Sequence, residues 1–273
     1  MNELALTPSL FRLLSGLIEE RTGIHHADDK LELFSARVCG RLVESGFPSP
    51  LDYYYYLRYD ADSARELTAL VDELVVTETY FFREADQLRV LRDEVLLPLV
   101  EQGQRPRVWC AGASTGEEPL SVAMLLAEAG ILSQVEIVAS DISMKALARA
   151  RSGEHAPSSL RAIPEGIRQR YVEERDGRIT VSSAIHERID WRHLNLLDQS
   201  AVAELGTFDG ILCRNVLIYF RDETIRRIVG TLSGALRAGG RLFVGASESL
   251  FRFDSLVRGE EHDGSFSYSR TDP

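Results

Sequence analysis

The sequence predicts an α/β protein in two parts: a small all-helical N-terminal domain, then a parallel β-sheet with helices on both of its faces. Apolar residues recur at helical spacing through residues 1–76. From residue 105 to the end at residue 273, short apolar runs alternate with helical segments, as crossover connections between parallel strands require. We interpret residues 77–104 as a linker and a connecting helix.

Composition narrows the functional classes. The chain has 273 residues, 44% of them hydrophobic, which is enough to build substantial cores. No apolar run approaches the ~20 residues that span a membrane, so we expect a cytoplasmic monomer without direct membrane insertion. A net charge of -11 opposes nucleic-acid binding. Cys39, Cys110 and Cys213 are widely separated and the six histidines lack ligand spacing, so we expect neither a disulfide nor a metal site.

Helix signals divide the N-terminal part. Thr7 and Pro8 are typical of an N-cap and first turn, and Gly23 is a stop signal. A second helix is predicted from Asp28 to Glu44, and the stretches "LDYYYYLRY" and "DSARELTALVDELVV" predict two more. The tyrosine run indicates amphipathic packing; a base-stacking platform is the alternative, but no basic residues interleave with it.

The C-terminal part alternates between strands and helices. The predicted strands are "RVWCAG", "VEIVASD", "FDGILCRN" and "RLFVGAS"; the predicted helices are "EEPLSVAMLLAEAG", "SMKALARARSG" and "DETIRRIVGTLSGALRAGG". The stretch from about Gly153 to Asp190 breaks this alternation. It contains a short helix at "PEGIRQRYVEE", a turn at Asp176 and Gly177, and the extended segment "RITVS". We therefore predict a small subdomain inserted at about residues 153–190.

The segment "VWCAGASTGEEP" joins the first strand to the first helix of this part. Such glycine loops often seat a phosphate, but Glu117 and Glu118 oppose an anion, at roughly 4 kcal/mol for charges 4 Å apart at an effective dielectric of about 20. A cationic ligand, S-adenosylmethionine, fits better. Gly112 and Gly116 would let the backbone approach its methionine part, and a glutamate would receive its ammonium group or lie close to its sulfonium. The alternative is that both glutamates only complement the helix dipole.

Three further strand ends add to this hypothesis, because ligands of such sheets bind beyond the carboxyl ends of the strands. Asp141 ends the second strand, where a carboxylate can accept hydrogen bonds from both ribose hydroxyls. Asn195 and Leu196 follow another strand and suit an adenine ring, while Asn215 and Tyr219 follow a fourth. Together these positions predict a methyltransferase.

Six motifs, in order and spacing, resemble CheR-type chemotaxis receptor methyltransferases across nearly the whole chain: "TETYFFRE", "AGASTGEEPLSVAM", "ASDIS", "NLLD", "CRNVLIYF" and "GASES". The resemblance implies a Rossmann-like class I S-adenosylmethionine-dependent methyltransferase domain with a small inserted β-subdomain, preceded by an all-α domain. It also implies methylation of glutamates on chemoreceptor helices, with S-adenosylhomocysteine as the product. The implied cofactor contacts are Thr77, Thr79, Arg83, Glu117, Asp141, Asn195, Leu196, Asn215 and Val216. The family usually has asparagine at the position of Thr77.

Methyl transfer to a glutamate needs no catalytic base, because the carboxylate is already ionised at pH 7. Catalysis then depends on alignment and exclusion of water. We predict that Arg83 orients the incoming carboxylate or braces the site and that Tyr219 forms a hydrogen bond near the sulfonium. The alternatives are a salt bridge between Arg83 and a helix carboxylate, and a core position for Tyr219.

Two other functions share the cofactor signature: a methyltransferase of another substrate class, and a non-catalytic S-adenosylmethionine-binding signalling protein. For receptor docking, residues 1–80 carry 14 acidic against 7 basic residues, so any attraction to acidic receptor helices must be local. Lys30, Arg37 and Arg41 share one face of the second predicted helix. We predict that this basic stripe faces outward and contacts the receptor; an ordinary solvated face is the alternative.

Overall fold

A computed structural model describes residues 6–175, 177–262 and 265–271, so Asp176 of the predicted turn lies outside the described residues. The chain forms two compact units. The first comprises the chain up to Val76 together with Tyr219–Thr224, and the second comprises Thr77–Ile218 and the chain from Ile225 onward. Within the described part, no helix is long and apolar enough to cross a membrane.

The first unit is helical. Its helices are α1 (Pro8–Thr22), α2 (Leu31–Ser45), α3 (Pro50–Tyr59) and α4 (Ala64–Leu74). The Thr7 hydroxyl accepts a hydrogen bond from the Leu10 N–H, and Gly23 ends α1 with a left-handed φ of 79°. A 3₁₀ turn, Asp28–Lys30, precedes α2, so that helix begins three residues later than predicted. Phe11 of α1 and Tyr53 of α3 are both buried.

The predicted outward basic stripe on α2 is wrong for two of its three residues. Arg41 is engaged by Glu66 of α4 through two bonds, Nε to Oε1 at 2.8 Å and Nη2 to Oε2 at 2.6 Å. Arg37 donates to the carbonyl oxygen of Leu74 at 2.9 Å, at the end of α4. Because α4 packs beside α2, it supplies the acceptors for both guanidinium groups. Of the three, Lys30 alone is exposed as expected, and its Nζ lies 3.3 Å from Asp29 Oδ2.

A seven-stranded sheet organises the second unit. Its strands are β1 (Arg107–Ala111), β2 (Glu136–Asp141), β6 (Ile189–His193), β7 (Phe208–Cys213), β8 (Leu236–Val244), β9 (Val257–His262) and β10 (Ser265–Arg270). They lie in the order β6-β2-β1-β7-β8-β10-β9. The first five are parallel, whereas β10 pairs antiparallel with β8 and β9. The carboxyl ends of β1, β2, β6 and β7 therefore meet at one edge of the sheet.

From residue 85 onward the described helices are α5 (Ala85–Val90), α6 (Leu97–Glu101), α7 (Glu117–Glu128), α8 (Met144–Ser152), α9 (Glu165–Tyr171), α10 (Ser183–His186), α11 (Gln199–Glu204) and α12 (Asp222–Gly234). A π-helical segment, Leu91–Leu96, joins α5 to α6. Residues 77–104, which we expected to be a linker and a connecting helix, belong to the second unit. Their apolar side chains, including Phe81, Leu88 and Leu91, are buried in its core.

The inserted β-subdomain lies between α8 and β6. It contains β3 (Glu154–His155), β4 (Val172–Arg175) and β5 (Arg178–Val181), antiparallel in the order β3-β5-β4. The helix predicted to include residues 172–174 ends at Tyr171, because those residues pair with β5.

Two features near the C-terminus differ from the sequence prediction. The helix predicted to reach Gly240 ends at Gly234, because Leu236 and Arg241 pair with β7. The β9–β10 hairpin was not predicted at all. In each case the strand is stabilised by a partner that its local sequence does not identify.

Candidate active site

The glycine loop after β1 requires glycine at two positions. Gly112 and Gly116 have φ values of 81° and 97°, a region that side chains with a Cβ rarely adopt. A Cβ on Gly112 would lie 2.4 Å from Val216 Cγ2, and one on Gly116 would lie 2.8 Å from Trp191 Cη2. Close packing against other side chains of the protein therefore excludes larger residues here. The predicted approach of a cofactor to these glycines stays a prediction.

Glu117 begins α7 and is almost completely buried. Its two oxygens have different partners: Thr115 Oγ1 donates to Oε2 at 2.6 Å, and His155 Nδ1 lies 3.0 Å from Oε1. Burial raises the pKa of a carboxyl group, but here the bonds from His155 and Thr115 outweigh burial, and the Glu117 pKa lies below its usual value. Glu117 is thus ionised at neutral pH. Each oxygen retains a lone pair with which to accept from a ligand ammonium group.

Glu118, the next residue, has a different environment. Arg214 Nη1 donates to Glu118 Oε2 at 3.0 Å, and the Arg214 side chain is 1% exposed. Arg214 Nη2 also contacts the carbonyl oxygen of Arg83 and, at 3.3 Å, Glu84 Oε2. Burial raises the pKa of Glu118. Of the two predicted acids, Glu118 is paired with a protein cation, and binding of a ligand by Glu117 stays a prediction.

Asp141, at the end of β2, is oriented by two backbone donors. Ser114 N–H donates to Oδ2 at 2.7 Å and Ser143 N–H to Oδ1 at 2.8 Å. Because each oxygen has accepted one bond, the carboxylate keeps acceptor positions for a diol. Burial raises its pKa. The Ser114 hydroxyl also donates to the carbonyl oxygen of Thr77 at 3.0 Å, which brings the "TETYFFRE" segment beside the glycine loop.

Asn195 and Leu196 follow β6, the strand next to β2. The Leu194 N–H donates to the carbonyl oxygen of Asp141 at 3.0 Å, so this segment lies beside the predicted ribose site. Asn195 Oδ1 accepts from the Leu197 N–H at 3.0 Å, and Leu196 is buried. The Asn195 amide and the apolar Leu196 side chain are of the kind that contacts an adenine ring; that contact stays a prediction.

Asn215 and Val216 follow β7, in a loop whose backbone donates hydrogen bonds to the buried carboxylate of Glu248. Asn215 has a φ of 58°, and its N–H donates to Glu248 Oε2 at 2.6 Å. The same oxygen accepts from the Gly245 N–H at 2.6 Å, and Oε1 accepts from the Ile218 N–H at 3.1 Å. Sequence reasoning missed Glu248 as a scaffold, although it lies within the quoted "GASES" motif.

The "TETYFFRE" segment crosses from α7 to the inserted subdomain. Phe82 N–H donates to Ser121 Oγ at 2.9 Å, and Phe81 N–H donates to the carbonyl oxygen of Ser159 at 3.0 Å. Thr79 is partly buried in this segment. Arg83 is 32% exposed, with Nε 3.9 Å from Glu84 Oε1, a loose ion pair with the residue that precedes α5.

Tyr219 groups with the first unit. Its carbonyl oxygen accepts a hydrogen bond from the His25 N–H at 2.8 Å, and the adjacent Phe220 forms an isolated bridge with Ile24. Its predicted place near the sulfonium stays a prediction, as does the predicted role of Arg83.

Besides Glu248, sequence reasoning missed His155, the partner of Glu117, and Arg214, the partner of Glu118. Arg214 had a signal, because it is a charged residue within the apolar run "ILCRNVLI". His155 had none, since 38 residues separate it from Glu117. Within the described ranges, no group of three His, Cys, Asp or Glu side chains is arranged to hold a metal ion. The two oriented carboxylates, Glu117 at the start of α7 and Asp141 at the end of β2, are hydrogen-bond acceptors and fit a ligand that carries an ammonium group and a diol.

Known proteins resemble this chain over both units. A family model described as CheR methyltransferase, all-alpha domain, matches residues 9–75, and one described as CheR methyltransferase, SAM binding domain, matches residues 77–263. Chemotaxis protein methyltransferase 2 of Vibrio cholerae is 36% identical over 262 residues, which cover 94% of this chain and 91% of that protein. Chemotaxis protein methyltransferase 1 of Pseudomonas aeruginosa is 36% identical over 250 residues, 88% of this chain and 90% of that protein. For the chemotaxis protein methyltransferase of Escherichia coli, the identity is 34% over 253 residues, 90% of this chain and 86% of that protein.

Proposed function

Because the chain belongs to the CheR methyltransferase family and is therefore an S-adenosylmethionine-dependent methyltransferase, we propose that it methylates glutamate side chains of chemoreceptors, forming glutamyl methyl esters. The observation that carries the proposal is the pair of oriented carboxylates, Glu117 and Asp141, after β1 and β2 in a domain of this family.

The cofactor supplies a methyl group activated by a sulfonium. We assign Glu117 to its ammonium group, because the buried carboxylate is ionised. Asp141 is assigned to the ribose diol, and its two N–H bonds support this by orienting the acceptor. Asn195 and Leu196 are assigned to the base. The remaining assigned contacts are Thr77, Thr79, Arg83, Gly112, Gly116, Asn215 and Val216.

The acceptor needs no deprotonation, since a receptor glutamate is a carboxylate at pH 7. Arg83 would orient that carboxylate for attack on the methyl group, and Tyr219 would form a hydrogen bond near the sulfonium. The partial exposure of Arg83 and its loose pair with Glu84 support a side chain able to exchange one carboxylate partner for another. Catalysis then consists of alignment and exclusion of water.

We further propose that the enzyme acts as a monomer and meets the receptor through the first unit. Of the three basic residues considered for this contact, Lys30 is the one whose exposed ammonium group supports it. Arg37 and Arg41 bond to α4 instead, and we assign them to the stability of the first unit.

Methyl transfer to receptor fragments tests the proposal. Incubation with cofactor labelled in its methyl group should place base-labile label on glutamates of a chemoreceptor helical fragment, and none on a fragment with those glutamates changed to glutamine. Label that is stable to base would indicate another acceptor. Cofactor binding without any labelling across a panel of receptors would instead indicate a non-catalytic binding protein.

A further inference from the structure

Glu117 has a partner in the inserted β-subdomain. His155 lies on β3, its side chain is fully buried, and its Nδ1 is 3.0 Å from Glu117 Oε1. The Phe81 ring packs edge-on against the imidazole, with the ring centres 4.9 Å apart. His155 is therefore held by packing from the "TETYFFRE" segment while it faces the carboxylate at the start of α7.

The geometry fixes which nitrogen of His155 carries the proton. A carboxylate only accepts hydrogen bonds, so Nδ1 must donate. Nε2 is buried and has no hydrogen-bond partner among the described residues. Of the two ring nitrogens, Nδ1 is therefore the one that supplies a hydrogen to the bond with Glu117.

The bond has a consequence for the ligand site. A buried carboxylate without donors would become protonated and could not attract a cation. Thr115 supplies a donor from the glycine loop, two residues before Glu117, whereas His155 supplies one from a different subdomain. Two donors on opposite oxygens also restrict rotation of the carboxylate, so its remaining lone pairs point in set directions.

We propose that His155 is a positioning residue that holds the Glu117 carboxylate for the ammonium group of the cofactor and so links the inserted subdomain to cofactor recognition. The proposal rests on the assignment of Glu117 to that ammonium group. If it is correct, the effect of His155 on cofactor affinity requires both the Glu117 carboxylate and the amino group of the ligand.

Calorimetric binding of S-adenosylhomocysteine to the full chain tests this. His155→Leu removes the donor at similar volume and should weaken binding roughly 10- to 100-fold, the range for a hydrogen bond to a charged group. His155→Asn, whose amide can donate from a similar position, should restore most of the affinity. His186→Leu is the matched control, because His186 lies in the same subdomain and contacts the carbonyl oxygen of Ala150 rather than a carboxylate.

Two further measurements separate the possible failures. In a Glu117→Gln background, His155→Leu should have little additional effect, and an analogue of S-adenosylhomocysteine that lacks the amino group should bind parent and His155→Leu proteins alike. Normal affinity of Glu117→Gln would reject the assignment of Glu117 itself. Weak binding by Glu117→Gln with normal binding by a folded His155→Leu would reject the role of His155 alone, as would a nitrogen NMR spectrum showing hydrogen on Nε2 only.

Discussion

Arg214 Nη1 lies 3.0 Å from Glu118 Oε2 within the second unit, and this ion pair joins a fully buried guanidinium group to a largely buried carboxylate. Arg214 also contacts the carbonyl oxygen of Arg83 and the Glu84 carboxylate, which are on the segment before α5. One guanidinium group thus joins the first turn of α7 to the backbone of a predicted catalytic residue. Sequence motifs that are distant in the chain are physically connected here.

Removing Arg214 should be strongly destabilising. Arg214→Met leaves Glu118, whose side chain is 15% exposed, without its cation, and breaking a fully buried pair in this way costs about 3–5 kcal/mol of unfolding free energy, which is the upper bound here. Urea denaturation measures it. The double variant Arg214→Met/Glu118→Leu should recover part of the loss, because it removes one of the two carboxylates that Arg214 pairs with and leaves only the more exposed Glu84 without its cation. Arg192→Met, which breaks an exposed pair with Asp190, is the control and should change stability little. A similar loss in both single variants would contradict the explanation.

Asp141→Asn should weaken cofactor binding by about 1.5–3 kcal/mol, the value of hydrogen bonds to a charged acceptor. The amide keeps the size of the side chain but loses one acceptor oxygen, so the ribose diol cannot donate to both sides. Calorimetry with S-adenosylhomocysteine measures the change. A folded variant with the affinity of the parent would remove Asp141 from the site.

The affinity should also fall in acid. Burial raises the pKa of Asp141 above its ordinary value of 3.8, while ribose hydroxyls favour its ionised form. Binding is therefore strongest above the raised pKa and weakens as the pH falls through it. Asp141→Asn should flatten this part of the profile, and an unchanged profile would contradict the assignment.

The pH dependence of folding has the opposite sign. The native state holds the Asp141 proton more tightly than the unfolded chain does, so ionisation of Asp141 lowers the free energy of unfolding as the pH rises from 3.8 through the raised pKa.

Gly112→Ala should cost more stability than a glycine substitution at a similar backbone angle elsewhere. At Gly130 the φ is 73° and a Cβ would meet no atom within 4 Å, so Gly130→Ala reports the cost of the angle alone, about 1–2 kcal/mol. Gly112→Ala adds a clash with Val216, expected to cost a further 1–3 kcal/mol, roughly. The double variant Gly112→Ala/Val216→Ala should relieve the clash and leave the cost of the angle. Equal losses at Gly112 and Gly130 in denaturant unfolding would show that the loop relaxes.

Arg41→Met should destabilise the first unit by about 1–3 kcal/mol, because Glu66 would lose a two-bond cation partner and keep only the hydroxyl groups of Ser45 and Tyr53. Thermal and urea unfolding measure this. Lys30→Met removes an exposed charge and is the stability control. Receptor binding should show the opposite order: Lys30→Glu should weaken it in a salt-dependent way, whereas Arg41→Met should change it little. Weaker receptor binding by a fully stable Arg41→Met would return Arg41 to the docking surface.

Arg83→Ala should lower turnover more than it lowers receptor affinity, because the proposed contact with the incoming carboxylate matters most at alignment for attack. Tyr219→Phe should act in the same direction but more mildly, since it removes one hydroxyl group. Steady-state methylation and receptor binding measured side by side separate the two parameters. Lower melting temperatures with normal turnover would assign both side chains a structural role.

Short stretches of the sequence were enough to determine the fold class and the family. Alternating apolar runs and helix signals indicated an all-α part followed by a parallel sheet, and the fold has this arrangement except that β10 pairs antiparallel with β8 and β9. Motifs such as "AGASTGEEPLSVAM" and "CRNVLIYF" indicated the family, which the family models confirm. The rule that ligands bind at strand ends selected Asp141, and the pair of acids after the glycine loop selected Glu117 together with Glu118.

Tertiary packing decided what each charged side chain does. Periodicity grouped Lys30, Arg37 and Arg41 on one face, but only the position of α4 shows that two of them bond inward. Likewise Glu117 and Glu118 are adjacent acids whose roles diverge because one meets His155 and the other Arg214. Hydrogen bonds and ion pairs act over a few ångströms of space, and the residues that they join are 38 and 96 positions apart in the chain, a separation across which sequence periodicity carries no information.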